Sequence, residues 1–365
     1  MNLPGAVHPS PPPRASRIRK WLPGLAVLLI LIVLPPFLLH RFISTPGPVA
    51  GAPRTVEIAG GAGLRAIAFA LETAGVISDA RLFAAYAALR GAGRKLRAGE
   101  YEFPPGATPR EVISKLERGE TKRHFVTLPE GWTFAQMAEA IAKAGIAPAG
   151  GLIALARNPS FVKSLGMPGA TLEGWCFPDT YAFTRATRPE MVWRTLVQRA
   201  RSVLAEERRR ATASSDPGLD DGEIVTLASI VEKETGRADE RPLIAAVFLN
   251  RLRRGIPLGS DPTVIYGMSS FDGNIRRVDL ETPSPYNTYL RPGLPPGPIA
   301  NPGREALRAV LAAPAVDYLY FVSRNDGSHQ FSRTLEEHNR AVREFQLNGR
   351  RPPAAAPEAP GAPPS

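Results

Sequence analysis

Cysteine is almost missing from this chain. Cys176 stands alone among 365 residues, so no intramolecular disulfide can form and the fold must do without one. The five histidines, His8, His40, His124, His329 and His338, show no zinc-ligand spacing. There is no Gly-rich phosphate loop and no nucleophile-elbow serine. No cofactor and no metal is therefore expected. Aromatic residues make up only 7% of the chain, and none cluster with basic residues as a nucleic-acid surface would require. The run around Cys176, from Leu172 to Tyr181, is apolar and aromatic. A catalytic thiol needs a nearby activating base, and this mostly apolar, aromatic setting favours a buried structural thiol over a nucleophile.

What is present is enough apolar sequence, 44%, for two globular units. Many of the 38 prolines sit at the two ends, outside the expected fold. The net charge of +11 is partly an N-terminal cluster, Arg14, Arg17, Arg19 and Lys20. The scattered remainder fits a partner that is an anionic polymer, either nucleic acid or an envelope glycan carrying acidic peptides. Trp21 to Leu39 carries no charge and is long enough to cross a bilayer. Basic residues before it outnumber Arg41 after it, which predicts a cytoplasmic N-terminus. A cleaved signal peptide is the rival reading, but its only cleavage candidate, Thr45 to Ala50, is disfavoured by its prolines. Pro35-Pro36 should kink the helix near its outer end. His40 to Pro53 reads as a Pro/Gly tether, and the chain from Gly349 as a disordered Pro/Ala-rich tail.

From Thr55 a pattern recurs of short apolar strand, Gly turn and amphipathic helix. Val56–Ile58, Gly61 and Leu64/Ile67/Ala68/Leu71 form one copy. Val126–Leu128, Gly131 and Phe134/Met137/Ala138/Ile141 form another and align without a gap. A weaker copy runs from Tyr101 and Phe103 through Gly106 to Val112/Ile113/Leu116. Capping boxes are expected at Thr108/Glu111, Thr133/Gln136, Thr187/Glu190 and Thr334/Glu337, and Asp220 or Asp221 should cap a helix reaching about Thr235. Further helices are expected over Pro242–Arg253 and from Asn301-Pro302 to about Ala312. Asp317–Ser323 and His329–Ser332 should pair as a hairpin across Asn325-Asp326-Gly327. Gly255 to Pro302 reads as one irregular stretch.

The apolar helix Leu227 to Thr235 ends in two carboxylates. On a helix Glu234 lies beside Ile230 and Leu227, whereas Glu232 lies beside Ala228, Val225 and Ser229. This ranks Glu234 as modestly the more buried. A carboxyl held against apolar side chains resists ionisation and can act as a general acid near neutral pH. Spacing alone still favours the plainer reading, in which both are surface residues pairing with Lys233, Arg237 or Arg241. The Gly255–Pro302 stretch is rich in sugar-binding groups, Asp261, Tyr266, Asn274, Tyr286, Asn287 and Tyr289, though an ordinary connection would look the same.

Taken together, the strings LPEGWT (Leu128–Thr133), EGWCFPDTY (Glu173–Tyr181), ASIVEKET (Ala228–Thr235), VFLNRL (Val247–Leu252), SDPTVIYG (Ser260–Gly267), SPYNTY (Ser284–Tyr289), GLPPGPIANPG (Gly293–Gly303) and YLYFV (Tyr318–Val322) closely resemble the YceG-like endolytic murein transglycosylases. The resemblance runs from Thr55 to about Phe345. It implies an α+β protein: a cytoplasmic N-terminus (1–20), one transmembrane helix (21–40), a linker (41–53), a small LysM-like αβ module (54–124), a mixed α+β catalytic domain (125–348) and the tail (349–365). It also implies Glu234 as the catalytic residue and peptidoglycan glycan strands as substrate. The enzyme would be a lyase of the inner membrane, catalytic domain periplasmic, near peptidoglycan synthases and ending growing strands; nucleic acid is not an expected partner. In that chemistry the muramic acid 6-hydroxyl attacks its own anomeric carbon, so a second catalytic carboxylate is not required. Asp261, Asn287 and Tyr289 are the candidates for holding the sugar. A hydrolytic muramidase, with Glu232 or Asp261 positioning water, and a non-catalytic peptidoglycan-binding scaffold are the rivals.

Overall fold

The computed structural model describes residues 15–48, 51–211 and 216–347. The expected cytoplasmic start up to residue 14 and the tail from Gly349 lie outside the described residues. The chain divides between Arg123 and His124 into two compact units, both of mixed α+β structure.

The first unit comprises α1 (Ala15–Ser44), β1 (Arg54–Ile58), α2 (Leu64–Thr73), α3 (Ala80–Leu89), β2 (Gly99–Phe103) and α4 (Pro109–Arg118). In α1 the stretch Val27–Ser44 has a mean hydropathy of 2.1, long and apolar enough to span a membrane. The helix runs through Pro35-Pro36 and on to Ser44, beyond the expected start of the tether. The reason is packing: Phe42 and Ile43 are buried in the core of the first unit, so these residues hold helical form by tertiary contact. β1 and β2 pair antiparallel with Val56 opposite Tyr101. Alternation along both strands turns Val56, Ile58, Tyr101 and Phe103 to one face. Ile67, Ala68 and Leu71 of α2 and Val112, Ile113 and Leu116 of α4 close over it at helical spacing.

The second unit opens with the same order: β3 (His124–Thr127), α5 (Phe134–Lys143), α6 (Ala149–Ala156), the short α7 (Pro159–Ser164), β4 (Thr180–Phe183) and α8 (Pro189–Arg210). Again the strands pair antiparallel, Val126 opposite Tyr181. The correspondence reaches single side chains. Tyr101 stacks on Phe103 and donates its hydroxyl to the carbonyl of Arg97 (2.8 Å); Tyr181 stacks on Phe183 and donates to that of Phe177 (2.7 Å). The segment at Tyr101 is thus the closing strand and helix of the first copy, and Tyr181 begins its counterpart. Capping boxes form at Thr108 and Thr133. At Thr187 none forms: α8 starts after Arg188, and the Thr187 hydroxyl instead accepts from the Thr184 N–H at 3.1 Å, closing the preceding turn.

The rest of this unit is α9 (Asp221–Glu234), α10 (Arg241–Arg253), α11 (Asp261–Gly267), α12 (Arg277–Glu281), α13 (Arg304–Leu311), the hairpin β5 (Tyr320–Ser323) and β6 (His329–Ser332), and α14 (Leu335–Val342), whose capping box at Thr334/Glu337 is present. Asp220 caps α9 with Glu223 as its reciprocal partner. Every residue of α9 from Ile224 to Val231 is buried, as befits a helix enclosed on all sides, here by α10, α11 and α13. Two expectations are corrected. The Gly255–Pro302 stretch contains α11 and α12, and α13 starts at Arg304. Asn301 does not start that helix because its buried amide is used elsewhere: it accepts from the Cys176 N–H (2.8 Å) and donates to the Trp132 carbonyl (2.9 Å) and Glu173 (3.0 Å).

Gly174 lets these segments meet. Its φ is +81°, and a Cβ there would lie 2.4 Å from Pro298 Cγ and 2.8 Å from Val225 Cγ1. Gly174→Ala should therefore destabilise the protein by about 2–4 kcal/mol, through overpacking and backbone strain together, read as a lowered thermal or urea midpoint. A wild-type midpoint would contradict this packing.

Candidate active site

Glu232 and Glu234 leave the last turn of α9 toward different surroundings. The Glu232 side chain is only 6% exposed and pairs with Arg241 at 3.1 Å. Its other oxygen accepts the Gly303 N–H at 2.9 Å. A Cβ at position 303 would fall 2.0 Å from the Glu130 carboxyl, so a larger residue there would require the Glu130 side chain to move. Burial, and then the nearby Glu232 charge, push the Glu130 carboxyl above its ordinary range. Glu232 thus ties α9 to α10 and to the start of α13. Both glutamates are shielded, against the plainer expectation of surface residues, although Glu232 does take the expected partner Arg241; exposure is not what separates them. What separates them is the partner.

Glu234 has no ion-pair partner among the described residues. The residue keeps some solvent contact, but its carboxyl head is closely surrounded by protein. One oxygen accepts the Ser260 hydroxyl at 2.5 Å. Burial raises its pKa to about 7, and the Asp261 charge adds to the rise; the Ser260 hydrogen bond and the more distant Arg251 oppose it. Such a group is present in both protonation states near neutral pH.

Ser260 precedes α11 in the N-cap position, yet its side chain makes no cap bond. It is diverted to Glu234 because its backbone is held elsewhere. The Ser260 N–H donates to Thr288 Oγ1 at 3.0 Å, its carbonyl accepts from Thr263 Oγ1 at 2.7 Å, and the two threonine hydroxyls meet at 2.8 Å. Arg251 spends its guanidinium on the carbonyls of Leu258 (2.6 Å) and Leu319 (2.7 Å) and lies over the Tyr320 ring. It sets a positive potential near Glu234 without neutralising it.

Of the expected sugar-binding residues, Asp261 and Tyr289 come together beside Glu234. The Tyr289 hydroxyl donates to Asp261 at 2.6 Å, and burial with this bond pushes its pKa up, so it stays protonated. Asn287 is placed differently. It is 1% exposed, its amide donates to the carbonyls of Leu280 (2.9 Å) and Thr282 (2.8 Å), and its oxygen accepts the Tyr289 N–H at 3.0 Å. It therefore reaches the site only by fixing Tyr289. Among the described residues no group of three or more His, Cys, Asp or Glu could hold a metal. Cys176 is fully buried, and burial pushes its thiol well above the usual range, the environment of an inert structural thiol.

Sequence reasoning did not single out Ser260, Arg251 or Glu173. A serine before Asp-Pro is an ordinary helix start, and nothing local signals that its hydroxyl turns away. Glu173, 3% exposed, accepts from the Phe134 N–H and Asn301 Nδ2, both at 3.0 Å, and burial lifts its pKa to about 7. The contrast between the two α9 glutamates predicts that Glu232→Ala, which strips the shielded Arg241 of its partner, costs about 3 kcal/mol of stability. A urea midpoint equal to wild type would contradict the pairing.

The sequence matches the YceG-like family over residues 56–344. A protein of Bacillus subtilis (strain 168) named "Endolytic murein transglycosylase" is 32% identical over 306 residues, 80% of this chain and 84% of that one. A protein of the same name from Streptococcus pneumoniae (strain D39) is 29% identical over 80% of this chain, which spans 58% of its length. The crystal structure of a YceG-like protein from Listeria monocytogenes matches with a TM-score of 0.54 at 32% identity, over 80% of this chain and all of that one. With a match that covers both compact units and takes in the helix that carries Glu234, the chain belongs to the YceG-like family.

Proposed function

We propose that this chain is an endolytic peptidoglycan transglycosylase, cleaving the β-1,4 bond between N-acetylmuramic acid and N-acetylglucosamine and leaving 1,6-anhydro ends. The observation that carries the reading is Glu234, a shielded carboxyl with a pKa of about 7 whose hydrogen-bond partner among the described residues is a neutral hydroxyl; the name of the relatives supplies the substrate class. Protonated Glu234 gives its proton to the glycosidic oxygen as the bond to the anomeric carbon breaks. The resulting carboxylate takes the proton of the muramic acid 6-hydroxyl, whose oxygen closes onto the anomeric carbon. No water enters, and Glu234 ends where it began, protonated. The Ser260 hydroxyl stabilises the carboxylate between the two steps. Asp261, oriented by Tyr289, faces the positive charge that develops on the sugar ring, and Asn287 keeps Tyr289 in place.

The same reading covers the cellular setting. Helix α1 anchors the chain in the inner membrane, and the basic residues before it keep the N-terminus cytoplasmic and the rest periplasmic. The first unit, with antiparallel strands flanking two helices, is consistent with a LysM-like module. Proximity to peptidoglycan synthases would let the enzyme end growing strands.

Digestion of intact sacculi by the full chain in detergent should release 1,6-anhydro products, seen by mass spectrometry; reducing ends would instead establish a hydrolase. Glu234→Gln should lower the rate by at least about 10³-fold while the protein stays folded; substantial remaining activity would remove Glu234 from the mechanism. The activity that depends on the acid form should fall as pH rises through about 7. Ser260→Ala removes a bond that favours the carboxylate, so it should move that fall to higher pH. A move to lower pH would contradict the role given to Ser260.

Stability follows the same titration. In the fold Glu234 binds its proton more tightly than at its ordinary value of 4.5. The native state therefore loses stability as pH rises from about 4.5 to about 7, and this loss is complete above that range. Glu173 shifts in the same direction, so Glu234→Gln should flatten the slope of stability against pH only in part. An unchanged slope would mean that Glu234 is not raised.

A further inference from the structure

A second buried carboxyl lines a separate cleft. Glu173 lines a cleft of about 530 Å³ with Trp175, Thr226, Tyr266, Tyr286 and the proline turn 294–298. Two elements connect this cleft to Glu234. Thr226 stands eight residues before Glu234 on α9, about 12 Å away along a straight helix, farther than one sugar ring reaches. Helix α11 spans the same interval: Ser260 at its start donates to Glu234, and Tyr266 in its last turn points its hydroxyl at Glu173, 3.4 Å away. The cleft walls offer flat apolar surface in the proline turn and in the Tyr266 and Tyr286 rings, whose centroids are 4.8 Å apart.

Its unpaired polar groups narrow the choice of ligand. Among the described residues neither the Trp175 indole N–H nor the Tyr286 hydroxyl has a hydrogen-bond partner in the protein, and neither is sealed from solvent. Glu173, by contrast, is already engaged by Phe134, Asn301 and Tyr266. Among the described residues no Lys, Arg or His lines the cleft, while Asp220 and Glu223 do, which disfavours an anionic ligand. Rings and prolines that offer stacking faces, with one fixed donor and one hydroxyl that can donate or accept, match a neutral sugar carrying an acetamido group: the amide carbonyl accepts, and the methyl and ring faces cover apolar wall.

We propose that this cleft is a distal subsite that takes an N-acetylated sugar of the same glycan strand whose bond is cut at Glu234, with Trp175 and Tyr286 as its contacts and Glu173 as a positioning residue that holds Tyr266 and the Asn301 segment behind them. The proposal rests on the glycan-cleaving reading above. It makes binding depend on strand length, because a short glycan cannot occupy both places.

The test uses the full chain in detergent carrying Glu234→Gln, so that nothing is cut, titrated calorimetrically with N-acetylglucosamine oligomers of two to six sugars. Affinity should rise with length until both places are filled. Tyr286→Phe, which removes one hydroxyl and keeps the ring, should weaken the longest oligomers by about tenfold, the worth of one good hydrogen bond, and leave the shortest unchanged. Gly297→Ala, whose added Cβ would sit 3.8 Å from the Tyr286 hydroxyl, should act in the same direction by narrowing the cleft without disturbing the core. Affinity independent of length, or equal weakening of short and long oligomers, would overturn the subsite. Failure of the wild type to cut sacculi would defeat the reaction proposed above, while length-dependent binding would still support the subsite and its absence would still overturn it.

Discussion

The hydrogen bond from Ser260 to Glu234 is the interaction around which this structure is arranged. Helix α9 is buried from Ile224 to Val231, and a carboxyl at the end of such a helix must find a partner or give up its charge. Glu232 takes the first course with Arg241 and the Gly303 N–H. Glu234 meets a hydroxyl instead, and a hydroxyl tolerates both forms, since it can donate to a carboxylate or accept from an acid. Two groups on one turn of one helix thereby acquire different surroundings, and Glu234 is the one able to exchange a proton near neutral pH.

A hydroxyl can serve in this way only if it is held still. The Ser260 backbone is pinned by Thr263 and Thr288, and the loop that brings Thr288 is tied by Asn287. The Asp261–Tyr289 pair lies in the same knot. Farther back, Glu173 joins the start of α5 to Asn301 and so to the approach to α13. The paired strand–helix–helix–strand–helix segments, with their matching Tyr101 and Tyr181 bonds, show one local solution used twice. In the second unit the helices α9 to α13 are added to that solution, and the carboxyls sit among them.

Features fixed by near neighbours along the chain are legible in the sequence. The capping boxes at Thr108, Thr133 and Thr334, the Asp220 cap and the hairpin at Asn325 need only a few adjacent residues. Expectations fail where a distant group competes for the same atoms. The Thr187 hydroxyl closes a turn, Asn301 is taken by Cys176, Trp132 and Glu173, and Phe42 and Ile43 extend α1 by packing into a core. Asn287 shows the same limit: an amide expected to meet a sugar holds backbone instead.

The sequence by itself determined the family, the apolar N-terminal helix, the two-unit α+β plan and the candidacy of Glu234, because each is written in contiguous motifs or in helical and strand periodicity. It ranked Glu234 over Glu232 by apolar neighbours on one helix, a difference too small to decide their chemistry. Only the tertiary structure decided that, by setting Arg241 beside one and Ser260, 26 residues away, beside the other. The protonation behaviour of a buried carboxyl depends on which group the fold delivers to it, and no pattern along α9 carries that information.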